Sequence, residues 1–211
     1  GYIKRMPIQE FKTQNRGGKG IKGMGVQDGD FIEHLIYSST HDMLLFFTNA
    51  GKVYSKKAYE IPEYGRMAKG LPVVNLLQLE KGEKVQTVIS VPEGADDNYL
   101  FFITKMGTVK RTRVSEFSNI RNSGLIALTL RDGDELSNVL TTDGKQNILI
   151  GTHLGYAVTF NENDVRTMGR TAAGVRGINL RDHDYVVGSG VLGADDQVLV
   201  ISEKGYGKRT P

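Results

Sequence analysis

The residues best suited to chemistry form one short segment, Gln14-Asn15-Arg16-Gly17-Gly18-Lys19-Gly20. Two adjacent glycines allow the backbone to approach another surface closely, because they carry no side chains. Arg16 and Lys19 flank these glycines with positive charge, and such charges form strong hydrogen bonds with phosphate groups. The segment therefore predicts contact with a phosphate-bearing polyanion.

The same region also fits the letters of a dinucleotide-binding fingerprint, Gly18-Lys19-Gly20-Ile21-Lys22-Gly23. That fingerprint works where a hydrophobic strand turns into a helix, so that the helix N-terminus meets the pyrophosphate. Here no hydrophobic strand precedes the glycines and no helical pattern follows them. We therefore expect neither a nucleotide site nor any other cofactor in this chain.

Other candidate groups recur in register, which favours structural roles. Asp182-His183-Asp184 could suggest a metal site, but it aligns with Asp28-Gly29-Asp30 and Asp132-Gly133-Asp134, which predicts a repeated turn. The 4 histidines lack the spacing of metal ligands, and the absence of cysteine excludes thiolate chemistry. Three tyrosines each follow a glycine, so a unique nucleophilic tyrosine is not expected; they are Tyr2, Tyr156 and Tyr206.

The elements that position these residues repeat with a period near 50. Each unit has an apolar strand, a turn closed by glycine and a second strand of alternating character; the turn glycines Gly51, Gly107, Gly155 and Gly205 are 56, 48 and 50 residues apart. Continuous apolar runs such as Tyr99 to Ile103 indicate strands buried on both faces. This pattern predicts an all-β, propeller-like array.

The whole chain is expected to be one domain. We place its repeats at about residues 1–50, 51–106, 107–154 and 155–204, with the start of another at 205–211. The pattern after Gly1 matches the pattern after Gly205, so the domain is expected to be cut in the middle of a repeat at both ends.

The net charge changes sign in step with the repeat. Residues 1–22 carry +5, residues 23–50 carry −4 and residues 51–70 carry +3, and the alternation continues along a chain whose formal net charge is +3. Equivalent positions of a radial array fall on equivalent faces, so the basic blocks are expected to form a belt. Cation pairs at equal offsets after a glycine are expected to contact phosphates; they are Lys4-Arg5, Lys110-Arg111 and Lys208-Arg209.

The Gln14–Gly20 segment resembles the seven-residue box, Gln-basic-Arg-Gly-Gly-basic-Gly, found in the C-terminal domain of the A subunit of bacterial DNA gyrase (GyrA), a type IIA topoisomerase. Asn15 stands where a cation is usual. Reduced versions recur as Arg66 to Gly70 and Arg170 to Gly174, and the repeat extends the resemblance over the whole chain. The resemblance implies a β-pinwheel of four-stranded blades that exchange a strand with a neighbour, with six blades in the disc and about four to five in this chain.

The resemblance also implies a function. A basic rim would wrap duplex DNA without sequence specificity, so that the parent enzyme introduces negative supercoils with ATP. Implied partners are duplex DNA, the rest of GyrA, and the second gyrase polypeptide, GyrB, in a heterotetramer. ATP and Mg²⁺ would be used in other domains, with no catalytic residue in this chain. The implied location is the bacterial cytoplasm, associated with the nucleoid and not with a membrane.

The residues expected to contact DNA are the box, the first two cation pairs and further basic residues along the repeats. They are Lys4, Arg5, Gln14, Asn15, Arg16, Gly17, Gly18, Lys19, Gly20, Lys22, Lys56, Lys57, Arg66, Lys69, Lys110, Arg111, Arg113, Arg121, Arg166, Arg170 and Arg176.

Two alternatives stay open. The C-terminal domain of topoisomerase IV is a disc of the same type, but its family usually lacks an intact box, so Gln14–Gly20 favours gyrase. A propeller that docks proteins would instead use the acidic blocks as its binding surface. A propeller enzyme is less favoured than either, because no constellation of His, Glu or Asp converges at one position.

Overall fold

The computed structural model describes residues 1–11, 13–25 and 33–211. The strands in these ranges are β1 (Tyr2–Ile3), β2 (Met43–Thr48), β3 (Lys52–Lys57), β4 (Leu71–Pro72), β5 (Val85–Val91), β6 (Tyr99–Thr104), β7 (Thr108–Arg113), β8 (Leu125–Ile126), β9 (Leu136–Thr142), β10 (Asn147–Thr152), β11 (Ala157–Asn161), β12 (Val175–Arg176), β13 (Val186–Leu192), β14 (Val198–Ile201) and β15 (Gly207–Thr210). The helical segments are α1 (Val73–Leu76) and the 3-10 turns Ile8–Glu10, Ala58–Glu60, Val114–Phe117 and Glu162–Asp164. Within the described residues, no helix has the length and apolar character needed to cross a membrane.

Antiparallel hairpins form the repeated unit. The pairs are β2 with β3, β6 with β7, β10 with β11 and β14 with β15. Each hairpin turns at one of the predicted glycines, and Gly51, Gly107, Gly155 and Gly205 have φ values of 77°, 86°, 87° and 79°. Glycine adopts this left-handed conformation without steric cost. The four predicted glycine turns are therefore confirmed.

A third strand joins each of three hairpins. β5 pairs with β2, β9 with β6 and β13 with β10, all antiparallel, and each pairing shifts register at the last residue of the hairpin strand. These third strands also contact one another through side chains. The Asn138 amide group contacts the hydroxyl of Thr87 at 3.1 Å and that of Ser189 at 3.1 Å, and both partners lie 51 residues away. Corresponding residues in these successive sheets are therefore 51 positions apart in the chain.

The fourth strand of a blade comes from the following unit. β8 pairs with β3 and β12 pairs with β7, which gives sheets ordered β5-β2-β3-β8 and β12-β7-β6-β9. β4 pairs with β1 in the same manner. We call β4, β8 and β12 the exchange strands. Four-stranded blades that exchange a strand with a neighbour are thus confirmed, while the sheet around β10 has three strands and that of β14 and β15 has two.

The core lies between successive blades. Leu100 and Phe102 of β6 face one neighbouring blade, where the Phe102 ring packs edge-on against Phe47 with 5.5 Å between ring centroids. Phe101 and Ile103 of the same strand face the other neighbouring blade. All four β6 side chains have no exposed surface. The prediction that the apolar strands are buried on both faces is confirmed for β6, because this strand lies inside a sheet packed between two others.

Replacing Phe102 by alanine should lower the free energy of unfolding by about 3–5 kcal/mol, because it removes a buried ring and leaves a cavity between two blades. Urea unfolding followed by circular dichroism measures this loss. Leu199→Ala is the matched control, since the Leu199 side chain is 64% exposed, and it should change stability by less than about 0.5 kcal/mol. Equal losses in the two variants would contradict the interblade core.

Candidate nucleic-acid interface

The box loop, residues 14–20, is closed by its own glutamine. The Gln14 side-chain carbonyl accepts a hydrogen bond from the Gly20 amide at 3.1 Å, and the Asn15 carbonyl accepts one from the Gly18 amide at 3.0 Å. The Gln14 side chain occupies the space that a Cβ atom on Gly18 would need. Gln14 and Gly18 therefore determine the conformation of the box loop.

The cations of the box loop are accessible. Arg16 and Lys19 are both exposed, and so are Asn15 and the nearby Lys22. Gly17 and Gly20 have φ values of 88° and 72°, so the chain turns sharply twice within seven residues. The two box cations thus stand on a tightly turned loop at the surface, where a large anion can reach them.

Three later loops take the place of the box in their own units, and we call them the box-position loops. They span residues 66–70, 121–124 and 170–174, and each one leads directly into an exchange strand. Gly70 and Gly174 have φ values of 91° and 87° at this junction. A side chain at either glycine would collide with a backbone carbonyl of the blade that receives the strand. This carbonyl is that of Ile3 for Gly70 and that of Val109 for Gly174. Strand exchange therefore determines where each box-position loop lies.

The box loop and the box-position loops follow one another in space. Beyond the box loop, the Gly25 amide donates to the Ala68 carbonyl at 3.4 Å, and Glu10 lies 3.7 Å from Arg66. Further along, the Thr129 hydroxyl donates to the Thr171 carbonyl at 2.7 Å. The segments that flank the first loop therefore adjoin the second, and the segment after the third adjoins the fourth.

The segment that follows the second loop and β4 meets the third loop at a small polar cavity. Leu76, Leu77 and Gln78, which follow exchange strand β4, line a cavity of about 80 Å³ together with Lys56, Arg121 and others. All four loops thus form a continuous series, which we call the rim row. The sequence pattern identified Lys56 and Arg121 but gave no sign of Ser55 and Asn122, which line the same cavity.

Most of the predicted cations outside the paired positions and the box loop have accessible side chains, and five of them lie on the rim row or line its cavity: Lys56, Arg66, Lys69, Arg121 and Arg170. Arg66, Arg113, Arg121, Arg166 and Arg176 are exposed, and Lys56, Lys57, Lys69 and Arg170 are half-buried. Some of these already have protein partners. The Arg170 guanidinium donates to the Ile126 carbonyl at 2.9 Å, which ties it to the neighbouring exchange strand.

Lys110 and Arg111 were expected to contact phosphate, and their burial contradicts this. Lys110 has no exposed surface, and its ammonium donates to the carbonyls of Ala127, Gly169 and Arg170. Burial lowers the pKa of Lys110 to about 7, and the nearby positive charge of Arg170 adds to this shift. The physical reason is strand exchange, because the segment that leads into β12 supplies two of the three carbonyls that bind the ammonium.

Arg111 is only 7% exposed and contacts Glu162 at 3.4 Å and Asn163 at 3.1 Å. Its guanidinium also stacks over the Tyr99 ring, 4.8 Å from the ring centroid. Removing either partner of the ion pair would leave a buried charge without compensation. Arg111 therefore stabilises the blade and cannot reach a phosphate outside it.

Lys4 and Arg5 have structural partners as well. The Lys4 ammonium donates to the carbonyls of Gly65, Arg66 and Ala68 at 2.8 to 2.9 Å, and burial lowers the pKa of this amine. Arg5 donates to the Ile61 carbonyl and to Glu63, each at 3.1 Å. Both side chains are half-buried. Of the three cation pairs that aligned after a glycine, only Lys208 and Arg209 are exposed.

The predicted acidic turns serve the hairpins. An Asp134 carboxylate oxygen accepts hydrogen bonds from the amides of Met106 and Glu135 at 3.0 and 2.8 Å. Asp184 does the same for Leu154 and Tyr185, both at 2.9 Å. The repeated-turn interpretation is therefore confirmed for these two units, whereas Asp28-Gly29-Asp30 lies outside the described residues.

Replacing Gln14 by alanine should accelerate hydrogen exchange of the Gly20 amide roughly fivefold, because one hydrogen bond of about 1 kcal/mol is lost. Exchange measured by NMR or mass spectrometry reports this directly. Gln14→Glu keeps an acceptor oxygen and should preserve the protection, and Gln9→Ala serves as a control elsewhere on the surface. An unchanged exchange rate in Gln14→Ala would show that another group closes the loop.

The lowered pKa of Lys110 makes stability depend on pH. The pKa is about 7 in the folded protein and near 10.5 without the fold. Between these values the unfolded chain binds a proton that the folded protein has released. The contribution of Lys110 to stability should therefore increase as pH rises from about 7 to 10, by at most about 1.4 kcal/mol per pH unit.

Urea unfolding of wild type and Lys110→Met at several pH values measures this effect as a difference in the free energy of unfolding that changes with pH. Lys145→Met removes an exposed lysine and should run parallel to wild type over the same range. Parallel behaviour of Lys110→Met would contradict the shifted pKa.

Known proteins resemble this chain along its whole length. The family model described as DNA gyrase C-terminal domain, beta-propeller, matches residues 1–39, 42–92, 98–143, 146–192 and 196–211. GyrA of Halalkalibacterium halodurans is 54% identical over 179 residues, which are 85% of this chain and 22% of that protein. GyrA of Staphylococcus aureus strain NCTC 8325 is 50% identical over 213 residues, covering 100% of this chain and 24% of that protein. This chain thus spans about a quarter of the length of the curated relatives it matches.

Solved structures share the fold. The C-terminal domain of DNA topoisomerase IV superposes with a TM-score of 0.84 at 28% identity, over 99% of this chain and 64% of that one. A C-terminal domain of GyrA superposes with a TM-score of 0.75 at 31% identity, over 99% of this chain and 68% of that one. Taken with the box loop, the exchanged strands and the match of the family model over five successive segments, these likenesses lead to one conclusion: the chain belongs to the family of DNA gyrase C-terminal domains.

Proposed function

We propose that this chain binds duplex DNA along the rim row and bends it, so that the gyrase containing it introduces negative supercoils with ATP. The observation that carries the proposal is the contact between successive loops. Because the segments that flank each loop touch the next loop or share a cavity with it, cations from separate units line one continuous edge. A polyanion is the ligand that can engage such an edge along its length.

The proposed DNA contacts are the accessible cations of the rim row and its flanks, together with the polar Asn15. They are Asn15, Arg16, Lys19, Lys22, Lys56, Lys57, Arg66, Lys69, Arg113, Arg121, Arg166, Arg170 and Arg176. Gln14, Gly17, Gly18 and Gly20 shape the loop that presents Arg16 and Lys19. Lys4, Arg5, Lys110 and Arg111 are left out of this set because the charged group of each already makes two or more hydrogen bonds to protein groups.

Contacts of this kind bind the DNA backbone, so the affinity depends on salt far more than on sequence. With roughly 6–10 phosphate contacts, affinity falls about 10³–10⁵-fold between 50 and 200 mM salt. Bending 20–30 base pairs costs on the order of 1–6 kcal/mol, so several loops must act together to offset it. The continuity of the rim row supplies this cooperation.

The proposal extends to the protein of which this chain is a part. Residues 1–211 act as a single DNA-wrapping domain, joined to the rest of GyrA and assembled with GyrB in a heterotetramer. ATP and Mg²⁺ are used by other domains of that complex. The complex works in the bacterial cytoplasm, at the nucleoid.

A second candidate is the equivalent domain of topoisomerase IV. The TM-score of 0.84 to such a domain favours it, against 0.75 to the gyrase domain. The nearly complete box of Gln14–Gly20 and the identity of about half to GyrA proteins favour gyrase. In the proposed mechanism only gyrase uses ATP to introduce negative supercoils. The formation of negatively supercoiled DNA therefore tests the role of the box.

Replacing Arg16 and Lys19 together by alanine in full-length GyrA, reconstituted with GyrB, should lower supercoiling at least about tenfold while ATP-dependent relaxation continues. The reason is that wrapping loses two phosphate contacts at the loop that begins the rim row. DNA-binding measurements across a salt series should show the slope of log affinity against log salt reduced by about two. Gel-based topology assays give the supercoiling rate.

The matched control removes two exposed lysines away from the rim row, Lys81→Ala with Lys145→Ala. This variant has the same net charge as the box variant and should keep most of the supercoiling activity. Equal loss in both variants would mean that net charge alone matters and would contradict the rim row. Relaxation as the only activity of the unaltered enzyme would identify a topoisomerase IV instead.

A further inference from the structure

Two lysines occupy the same place in two different blades and hold the same kind of partner. Lys4 and Lys110 each lie three residues after a glycine, Gly1 and Gly107. Each ammonium donates three hydrogen bonds, all to backbone carbonyls. A protonated lysine has three donors and no acceptor, so a cluster of three converging carbonyls matches it fully.

Most of the carbonyls come from the box-position loop of the neighbouring unit or the residues just before it. Lys4 contacts Gly65, Arg66 and Ala68, and these residues lead into exchange strand β4. Lys110 contacts Gly169 and Arg170, which lead into exchange strand β12. In both blades, one of the three carbonyls belongs to the arginine at the start of the box-position loop.

Neither ammonium is placed to meet a phosphate itself. Lys110 has no exposed surface, and the three donors of Lys4 are all engaged by carbonyls at 2.8 to 2.9 Å. The side chains of Arg66 and Arg170, by contrast, are exposed and half-buried, respectively. Any influence of the two lysines on a ligand of the rim row must therefore act through the loops that they hold.

We propose that Lys4 and Lys110 are positioning residues that hold the backbones of Arg66 and Arg170, and thereby keep these two guanidinium groups in line with Arg16 along the rim row. The inference rests on the proposed DNA-binding function. In this proposal, the blade that receives an exchange strand also orients the arginine in the loop that precedes that strand.

The blade between these two provides an internal comparison. Tyr54 stands where the lysine would be, three residues after Gly51. Its ring packs against Gly124 of the third loop, and its hydroxyl contacts the Gln78 carbonyl at 3.1 Å and Glu83 at 2.6 Å. Arg121 therefore lies on a loop that no lysine at this position holds. It is the natural reference for an arginine whose contribution does not depend on Lys4.

The test is a double-mutant cycle in full-length GyrA, with affinity for a short duplex measured by fluorescence anisotropy. Lys4→Met keeps much of the length of the side chain but removes its donors. It should weaken binding roughly 3- to 10-fold, as Arg66→Ala does, and the double variant should bind no more weakly than Arg66→Ala alone. Combining Lys4→Met with Arg121→Ala should instead multiply the two single effects.

The outcomes separate the two proposals. If the effects of Lys4→Met and Arg66→Ala multiply, or if Lys4→Met leaves affinity unchanged while Arg66→Ala weakens it, the positioning role is wrong and the DNA-binding function stands. If Arg16→Ala, Arg66→Ala and Arg121→Ala all bind as tightly as wild type, the proposed function itself fails. Thermal unfolding of each variant distinguishes a local change from loss of the fold.

Lys4 leads the test because it is half-buried, so its replacement is tolerated better than that of the fully buried Lys110. The Lys110→Met and Arg170→Ala pair repeats the cycle in the other blade and should show the same lack of additivity. Lys145→Met controls for the loss of one positive charge and should multiply with Arg66→Ala.

Discussion

The pairing of each exchange strand with the blade before it is the interaction on which the rest of the structure depends. Two residues suffice, as in β8 against β3 and β12 against β7. They close the exposed edge of a hairpin, and an unpaired edge is a liability for any sheet. They also fix the chain that precedes them, because the box-position loops end where the exchange strands begin. Fold and candidate site are therefore set by the same few hydrogen bonds.

The same pairing explains why some basic residues are buried and others are exposed. Lys110 and Arg111, on the second strand of a hairpin, are buried, and the segment from Glu162 to exchange strand β12 supplies carbonyl partners for Lys110 and a carboxylate partner for Arg111. Cations in the loop before an exchange strand stay at the surface, as Arg66 does. Position relative to the exchange strand, and not membership of a basic block, decides which lysines and arginines are available to a ligand.

Much of this architecture is predictable from the sequence, and the part that is not predictable has a clear physical reason. Turn glycines and continuous apolar strands are local signals, so the repeat, the hairpins and burial on both faces of β6 follow from them. An exchange strand is only two residues long, and β12 pairs with a strand that lies more than 60 positions earlier in the chain. No local pattern reports such a partner. The alternation after Gly107 therefore indicated a half-exposed strand, and the burial of Lys110 and Arg111 was missed.

The structure also indicates a role for buried residues of the acidic blocks, which the sequence alone left open. These blocks could have formed a docking surface for another protein, but the buried carboxylates among them serve the fold. Glu162 has no exposed surface and bonds to Thr142 and the Gln146 amide, and Asp184, 5% exposed, accepts two backbone amides. Because these carboxylates are buried and accept hydrogen bonds inside the blades, a basic partner at the surface cannot reach them. These two carboxylates therefore stabilise the blades and take no part in a surface that docks another protein.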